Sequence, residues 1–502
     1  MTAESAYQWL VEYFRDTTYL FSTAELAAWD QRTFIPTNGH EHRSRQMESL
    51  ARLIHQRSTS PEIDAKLQEV ENSAFLSDSD VATRANIRMW RREYERLVRI
   101  PERLASELAA AASAGEAAWE AAVHKNDWDA FFPHLEKLIS LSKEKAEAIG
   151  YNRNPYDALL DEYEVGLTAD ALSAMFDELR QPLVALQQQI RESVVKPDKS
   201  ILYGNFSLAS QRKTCADLVQ AIGYSFTSGR IDESVHPFSV GIGPGDARIT
   251  TRYNESFLGS GMFGCLHEAG HSLYELGLPE AHYGTPAGMY LSVGIHESQS
   301  RLWENQVGRS QAFWQFAKPL LDSHYSSVKS ATLEDFVLAV NDVEPGLIRV
   351  EADEVTYNLH VLLRFELELA LFNNELKPAD LPDAWAEKMK EMLGIVPQSN
   401  REGAMQDVHW SAGMFGYFPT YTLGNIYAAQ LYAAARRDIS DMDACLSRGE
   451  FEPLLQWLRT HVHHKGQCHT PAELIEMASG KPPSSKYFIE YCRAKFSQLY
   501  QF

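Results

Sequence analysis

Helical periodicity is the feature that most constrains the fold of this chain. Apolar residues recur at helical spacing through almost all of residues 4–200, and charged residues cover most of the outer faces. The stretches 81–98 and 105–124 are rich in strong helix formers, and Pro133 stands where a helix can begin. The pattern therefore predicts a mainly α fold whose N-terminal half is a long succession of amphipathic helices.

One stretch interrupts the helical pattern. Residues 236–253 alternate in short runs around the Gly/Pro-rich segment 241–245, which predicts a hairpin or a short pair of strands. The stretch lies directly before a further helical pattern at 258–273. An edge strand at this place could hold an extended peptide by backbone pairing, and a small structural hairpin explains the pattern equally well.

Length and composition favour one large body. The chain has 502 residues without a Gly/Ser-rich linker, a long charge block, a low-complexity tract or an obvious short repeat. We therefore expect a single domain with a helical N-terminal half at about 1–235. A central part at about 236–425 should carry the functional site, and C-terminal helices should occupy about 426–502.

Charge and targeting signals argue against several classes of protein. The net charge of −21 disfavours nonspecific binding to nucleic acid or to anionic membranes. The sequence contains neither a signal-peptide pattern nor a run of about 20 apolar residues. The five cysteines are scattered without a CxxC pair, which suits reduced thiols. We expect a cytoplasmic protein that binds neither nucleic acid nor membrane.

The most specific motif is HEAGH at 267–271. On a helix, His267 and His271 lie on one face about one turn apart, so both rings can reach one metal ion. Glu268 can hold and deprotonate a water molecule beside that ion, as in the HEXXH zinc peptidases. Because only three positions of the motif are fixed, a solvated helix face that carries two histidines by chance is the alternative.

A catalytic zinc site needs a third protein ligand. A helical stretch that begins near residue 292 carries Glu297, and 25 residues stand between it and His271. This length allows one helix to end, a loop to turn and a second helix to return, so we predict Glu297 as the third ligand. His296 is the competitor, but consecutive helix residues do not share a face. The nearby third histidine of metzincins is absent.

Other polar residues could bind a peptide substrate. A carboxypeptidase needs a cation for the free carboxylate, and both Arg349 and Arg248 are candidates. For each, a structural salt bridge is the alternative. His409 and Tyr421 could stabilise the oxyanion of a tetrahedral intermediate, and a hydrogen-bonded loop anchor is the alternative. We interpret the histidines at 461–464 as a solvated loop in preference to a metal site.

The chain resembles the carboxypeptidase Taq family of zinc metallocarboxypeptidases over essentially its whole length. Six motifs of that family occur in order, and no fixed motif position departs: HPF at 236–238, DXRXT at 246–250, HEXXH at 267–271, HES at 296–298, IRxEAD at 348–353 and GxxQDxHW at 403–410. The region around residues 29–31 and Gly39 is also similar to the family.

The resemblance implies a fold and an activity. The expected fold is a large helical, saddle-like body around a deep central groove, with one short β-sheet beside the zinc helix, as in neurolysin-like peptidases. The expected activity is release of single amino acids from peptide C-termini, with broad specificity and little tolerance for proline. Family members are usually homodimers, with one Zn²⁺ per chain for which Co²⁺ often substitutes.

The resemblance also implies roles for individual residues. His267, His271 and Glu297 are the expected ligands, and Glu268 is the expected general base and acid. The expected substrate-binding or transition-state residues are His236, Asp246, Arg248, Arg349, Gln406, His409 and Tyr421. Among these, Arg349 is favoured for the terminal carboxylate. Two rival functions remain: an endopeptidase without a carboxylate clamp, and a non-enzymatic peptide-binding scaffold.

Overall fold

Helices make up most of the computed structural model, which describes residues 2–502. The N-terminal part, up to residue 221, consists of ten helices: α1 (Ala3–Thr33), α2 (His40–Ser58), α3 (Pro61–Glu71), α4 (Ala74–Asp78), α5 (Val81–Arg99), α6 (Glu102–Lys125), α7 (Trp128–Ile149), α8 (Pro155–Leu160), α9 (Ala169–Glu192) and α10 (Leu208–Ala221). The predicted mainly α fold is therefore confirmed.

Side-chain caps explain where several of these helices begin. The side chains of Asp80 and Thr168 accept hydrogen bonds from the backbone N–H groups of the first turns of α5 and α9. Asp127 does the same for α7, so that helix begins at Trp128. The prediction that Pro133 starts this helix is therefore wrong, because the cap lies more than one turn earlier and the proline stands inside the helix.

A three-stranded sheet follows the N-terminal helices. It consists of β1 (Ile231–Glu233), β2 (Ser239–Gly243) and β3 (Asp246–Thr251), in the order β1-β3-β2. β2 and β3 form the predicted antiparallel hairpin, and Gly245 in its turn has a φ of 77°, which favours glycine. β1 pairs in parallel with β3, and Ile231 lies opposite Ile249. β2 is consequently an edge strand.

The rest of the chain returns to helices. They are α11 (Gly259–Glu275), α12 (Val293–Arg301), α13 (Gln311–His324), α14 (Ser326–Lys329), α15 (Leu333–Val340), α16 (Thr356–Phe372), α17 (Leu381–Leu393), α18 (Pro419–Asp438), α19 (Met442–Ser447), α20 (Glu452–His461), α21 (Pro471–Ser479) and α22 (Lys486–Tyr500). A π-helical segment, Leu302–Val307, continues α12. None of the helices in residues 2–502 is long and apolar enough to cross a membrane.

Two apolar cores hold these elements together. The larger one includes buried side chains from Ala122 to Tyr500, and α11, α12, α16 and α18 all contribute to it. A smaller core joins α1, α3 and α5 around Leu10, Leu67 and Trp90. α11 packs against α12 and the sheet, and α12 also packs against α18. The HEAGH helix is therefore held between the sheet and the helical core.

Candidate metal centre

Glycines set the distance between the helices of the site. A Cβ on Gly270 of α11 would lie 2.6 Å from the carbonyl oxygen of Gln299 and 2.7 Å from the Cα of Ser300 on α12. A Cβ on Gly424 of α18 would lie 2.6 Å from the Cβ of Glu297. Side chains at either position would force the helices apart, because such distances are well below van der Waals contact. α12 is thus clamped between α11 and α18.

This packing brings His267, His271 and Glu297 together. Their donor atoms all lie within 4.8 Å of one another, and no other group of three or more His, Cys, Asp or Glu residues in 2–502 does so. The Oε2 atom of Glu297 lies 3.3 Å from His271 Nε2 and 3.7 Å from His267 Nε2. Donors in a tetrahedral zinc site, each about 2.0–2.1 Å from the ion, are separated by about 3.3 Å. The residues therefore fit a zinc ion in donor type and in spacing.

Arg301 holds the other oxygen of Glu297. Its Nε donates to Glu297 Oε1 at 2.6 Å, and the hydroxyl of Ser300 donates to Oε2 at 3.0 Å. Burial opposes ionisation of Glu297, but the charges of Arg301 and the neighbouring histidines outweigh it and hold the pKa of this carboxyl well below its usual range. Glu297 is therefore an ionised carboxylate with Oε2 turned towards both histidines.

Glu304 orients the first histidine. Its Oε2 lies 2.9 Å from Nδ1 of His267, which leaves Nε2 on the side of Glu297. Arg301 donates to the same oxygen at 3.2 Å. Glu304 lies in the π-helical segment after α12, and such segments often occur at functional sites. A carboxylate on the far nitrogen of a ligating histidine is the usual arrangement in metal sites.

His296 lies behind His271 and is not part of the three-residue cluster. Its Nδ1 is 2.6 Å from Nδ1 of His271, and its Nε2 is 2.8 Å from Glu275 Oε1. Glu297 faces the histidine pair, whereas His296 faces the outer side of His271. The two candidates for the third ligand therefore point in different directions from α12, as expected.

Glu268 has an environment suited to proton transfer. It is buried, and among residues 2–502 its carboxylate has no hydrogen-bond partner. Burial raises its pKa to about 7, and the nearby carboxylates of Glu297 and Glu304 act in the same direction against the opposing effect of His267. A carboxyl group with a pKa near neutrality can both accept and release a proton.

Arg349 forms a buried ion pair. Its Nε and Nη2 donate to Asp407 Oδ1 at 3.0 and 2.8 Å, and its Nη1 donates to the hydroxyl of Tyr357 at 2.9 Å. Arg364 contacts the other oxygen of Asp407 at 2.5 Å. Asp407 therefore faces two guanidinium groups with one negative charge.

Gln406 anchors the loop that carries Asp407. Its Oε1 accepts from the backbone N–H of Arg349 at 2.9 Å, and its Nε2 donates to the carbonyl oxygens of Leu347 and Glu402. These hydrogen bonds use both the oxygen and the nitrogen of the Gln406 amide, and one of them holds the backbone of Arg349 in place. The contacts of Gln406 therefore agree with the interpretation of the 403–410 segment as a hydrogen-bonded loop anchor.

Arg248 also has a carboxylate partner. Its Nε and Nη2 bind both oxygens of Asp246 at 2.8 and 2.7 Å, and its guanidinium stacks 4.4 Å from the centre of the Trp29 ring. The two DXRXT residues thus bind each other. His236 is exposed, and none of the described residues hydrogen-bonds to its ring.

His409 and Tyr421 contact each other. Nε2 of His409 lies 3.0 Å from the hydroxyl of Tyr421, whose ring also faces Arg349 at 4.8 Å. Burial lowers the pKa of His409 to about 3 and raises that of Tyr421 well above its usual range. Both groups are therefore neutral near pH 7, and the Tyr421 hydroxyl also has a hydrogen bond with Tyr417.

Sequence reasoning missed the residues that orient the ligands. Arg301 follows Glu297 by four residues and precedes Glu304 by three, so helical ion-pair spacing could have identified both. Glu275 follows His271 by four residues on the same helix face, which was the available signal for it. The interpretation of 461–464 as a solvated loop is wrong for His463, which is buried and bonds to Gln299 at 3.0 Å.

Comparisons with known proteins give matches over nearly the whole chain. A family model described as carboxypeptidase Taq (M32) metallopeptidase matches residues 9–496. The chain is 51% identical to thermostable carboxypeptidase 1 of Thermus thermophilus, with 100% of each chain covered. It is 41% identical to carboxypeptidase 1 of Bacillus subtilis, with 95% of each covered. The crystal structure of an M32 carboxypeptidase from Deinococcus radiodurans superposes with a TM-score of 0.96 at 37% identity, covering 99% of this chain and all of that one.

Proposed function

The chain belongs to the carboxypeptidase Taq (M32) family of metallopeptidases and is a metallocarboxypeptidase, and we propose that it uses zinc to release single amino acids from peptide C-termini with broad specificity. The observation that carries this proposal is the arrangement of His267, His271 and Glu297 around a common point. Their donor types and spacing suit zinc, and Glu268 lies on the same helix beside His267. Cobalt, which takes similar ligands, is expected to substitute.

In the proposed reaction, Glu268 is the general base and acid. A divalent ion held by the three ligands supplies Lewis-acid activation of the attacking water and of the scissile carbonyl. Glu268 takes the proton from that water and later gives it to the leaving amine, for which a pKa of about 7 is well matched. Because no side chain in residues 2–502 hydrogen-bonds to its carboxylate, Glu268 is free to bind the water and then the amine.

Tyr421 is the proposed donor to the oxyanion. Its hydroxyl is neutral and lies next to His409, whose Nε2 can donate to the Tyr421 oxygen, so that the Tyr421 hydroxyl can turn its hydrogen from Tyr417 to the substrate. A donor aimed at the developing negative charge stabilises the transition state more than the substrate. His409 acts in this scheme by orienting the hydroxyl of Tyr421.

Arg349 is the proposed partner of the substrate carboxylate. It shares Asp407 with Arg364, so two positive charges face one negative charge, and a guanidinium suits bidentate recognition of a carboxylate. Arg349 is close to Tyr421, which would bring the terminal carboxylate near the oxyanion donor. The Arg248–Asp246 pair and His236 are proposed to line the substrate groove.

Some broader features of the chain are proposed with this activity. We propose a single peptidase domain over 1–502, supported by a main core that includes residues from Ala122 to Tyr500. The five cysteines are free, which suits a reducing compartment, and we propose a cytoplasmic location. The homodimer proposed here rests on the family resemblance.

The test compares two versions of one unstructured peptide, with a free and with an amidated C-terminus. Zinc-loaded protein is expected to produce a ladder of single-residue losses from the free peptide only, and chelation should abolish it. Mass spectrometry of both digests distinguishes the outcomes. Internal fragments from both peptides would favour an endopeptidase, and no cleavage of either would favour the binding scaffold.

A further inference from the structure

A chain of contacts runs from the metal ligand His271 to the edge strand β2. His271 Nδ1 lies 2.6 Å from His296 Nδ1, and His296 Nε2 lies 2.8 Å from Glu275 Oε1. The second oxygen of Glu275 lies 2.7 Å from the position that a Cβ on Gly241 of β2 would occupy. We propose that His296, Glu275 and Gly241 are positioning residues that fix the tautomer and orientation of His271. This proposal rests on the metal-binding role of His271.

The hydrogen bonds of this chain allow one arrangement of protons when His271 binds a metal. A neutral imidazole has one N–H donor and one bare nitrogen acceptor. If Nε2 of His271 is the metal donor atom, its proton lies on Nδ1, so His296 Nδ1 must accept. The proton of His296 then lies on Nε2 and is donated to the carboxylate of Glu275. Each group in the chain is satisfied, and the ligating nitrogen of His271 is left free.

The two ligand histidines differ in how they are oriented. His267 contacts the carboxylate of Glu304 directly, whereas His271 reaches the carboxylate of Glu275 through a second imidazole. The rings of Tyr274 and Tyr290 pack against His296 with centroids 5.1 and 4.9 Å away, which restricts rotation of the intervening ring. The imidazole of His296 therefore links His271 to Glu275, which lies beside the sheet.

Gly241 determines where Glu275 can lie. A Cβ at this position would lie 2.7 Å from Oε2 of Glu275 and 2.9 Å from its Cδ, so the carboxylate would have to move. Glu275 has a flexible side chain, and its displacement would cost little stability. Gly243, on the same strand, has space for a Cβ, which would lie 3.4 Å from the hydroxyl of Tyr283. Gly241→Ala and Gly243→Ala are thus a matched pair of variants: the first displaces the carboxylate of Glu275, and the second leaves it in place.

The experiment measures the zinc dissociation constant of the full chain by competition with a chromophoric chelator. Loss of an outer hydrogen-bond partner of a metal ligand typically weakens metal binding by about 10–100-fold. We expect weakening of about tenfold or more in Gly241→Ala and His296→Leu, and a change of less than about twofold in Gly243→Ala. His296→Gln, whose amide can both accept and donate, should recover part of the loss. The visible spectrum of the cobalt-loaded Gly241→Ala protein should also differ from wild type.

The outcomes separate this proposal from the proposed function. Wild-type affinity in both Gly241→Ala and His296→Leu would overturn the positioning role while leaving the metal site intact. Equal losses in Gly241→Ala and Gly243→Ala would also overturn it, because the effect would then belong to the strand in general. If the wild-type chain bound no zinc, both the proposed function and this inference would be overturned. Because Gly241→Ala leaves His296 in place, it still tests the proposal if variants of the partly buried His296 fail to fold.

Discussion

Gly424→Ala should weaken metal binding although Gly424 contacts no metal. The new Cβ would lie 2.6 Å from the Cβ of Glu297, whereas carbon atoms in contact are about 3.5–4.0 Å apart. α12 must therefore move away from α18 by about 1 Å at this point. Glu297 would move with its helix, and metal sites tolerate deviations in ligand distance of only about 0.2 Å. We expect this shift of a ligand to weaken zinc binding by about 100-fold, the upper end of what the loss of an outer partner of a metal ligand costs.

The control for this prediction is Gly115→Ala. Its Cβ would be equally crowded, lying 2.5 Å from the carbonyl oxygen of Ser411 and 2.9 Å from Leu138 Cδ1, and no metal ligand contacts it. Overpacking should cost both variants about 1–3 kcal/mol of unfolding free energy. Zinc affinity, measured by chelator competition, should fall in Gly424→Ala alone. If both variants lost stability but bound zinc as tightly as wild type, the clamping of Glu297 by α18 would be refuted.

Three further predictions concern catalysis, specificity and stability. Glu268→Gln should retain one zinc per chain but lose about 10²–10⁴-fold in kcat, and wild-type turnover in the metal-loaded variant would remove Glu268 from the mechanism. Arg349→Lys keeps a charge beside Asp407 but loses the planar guanidinium group, so the kcat/KM preference for free over amidated C-termini should fall by about tenfold or more. An unchanged ratio would assign recognition of the terminal carboxylate to Arg248. Burial raises the pKa of Glu164 from 4.5 to about 7 in the folded chain. The protonated carboxyl group of Glu164 therefore stabilises the folded chain fully below the pKa that it has in the unfolded chain. This stabilisation is lost as the pH rises through about 7. This loss amounts to about 3 kcal/mol, and Glu164→Gln should show a correspondingly smaller fall in unfolding free energy between about pH 5 and pH 8; equal slopes would contradict the assignment.

The helices and the hairpin could be predicted because their signals are local. α9 (Ala169–Glu192) lies within the region 4–200 that was predicted to be helical, and both its apolar periodicity and its Thr168 cap involve residues that are close in sequence. The β2–β3 turn is likewise specified by Pro244 and Gly245. β1 was not predicted, because its three residues pair in parallel with a strand that follows 13 residues later and carry little pattern of their own.

The grouping of the candidate ligands follows from short-range spacing, but their orientation does not. His267 and His271 share a face because they are one helical turn apart. Their hydrogen-bond partners, Glu304 and His296, lie beside them because α11 packs against α12 and because a π-helical segment follows α12. No local sequence pattern predicts that segment. His463 comes from the far end of the chain to bind Gln299, which only the tertiary fold can bring about.

Anomalous diffraction at the zinc absorption edge, from crystals of the zinc-loaded chain, tests whether His267, His271 and Glu297 bind one zinc ion. We expect one strong peak per chain, about 2.0–2.2 Å from His267 Nε2, His271 Nε2 and Glu297 Oε2. His296 should remain bonded to His271 and should not bind the ion. A peak on His296, a peak among the histidines at 461–464, or no ordered peak at all would contradict the proposed metal centre.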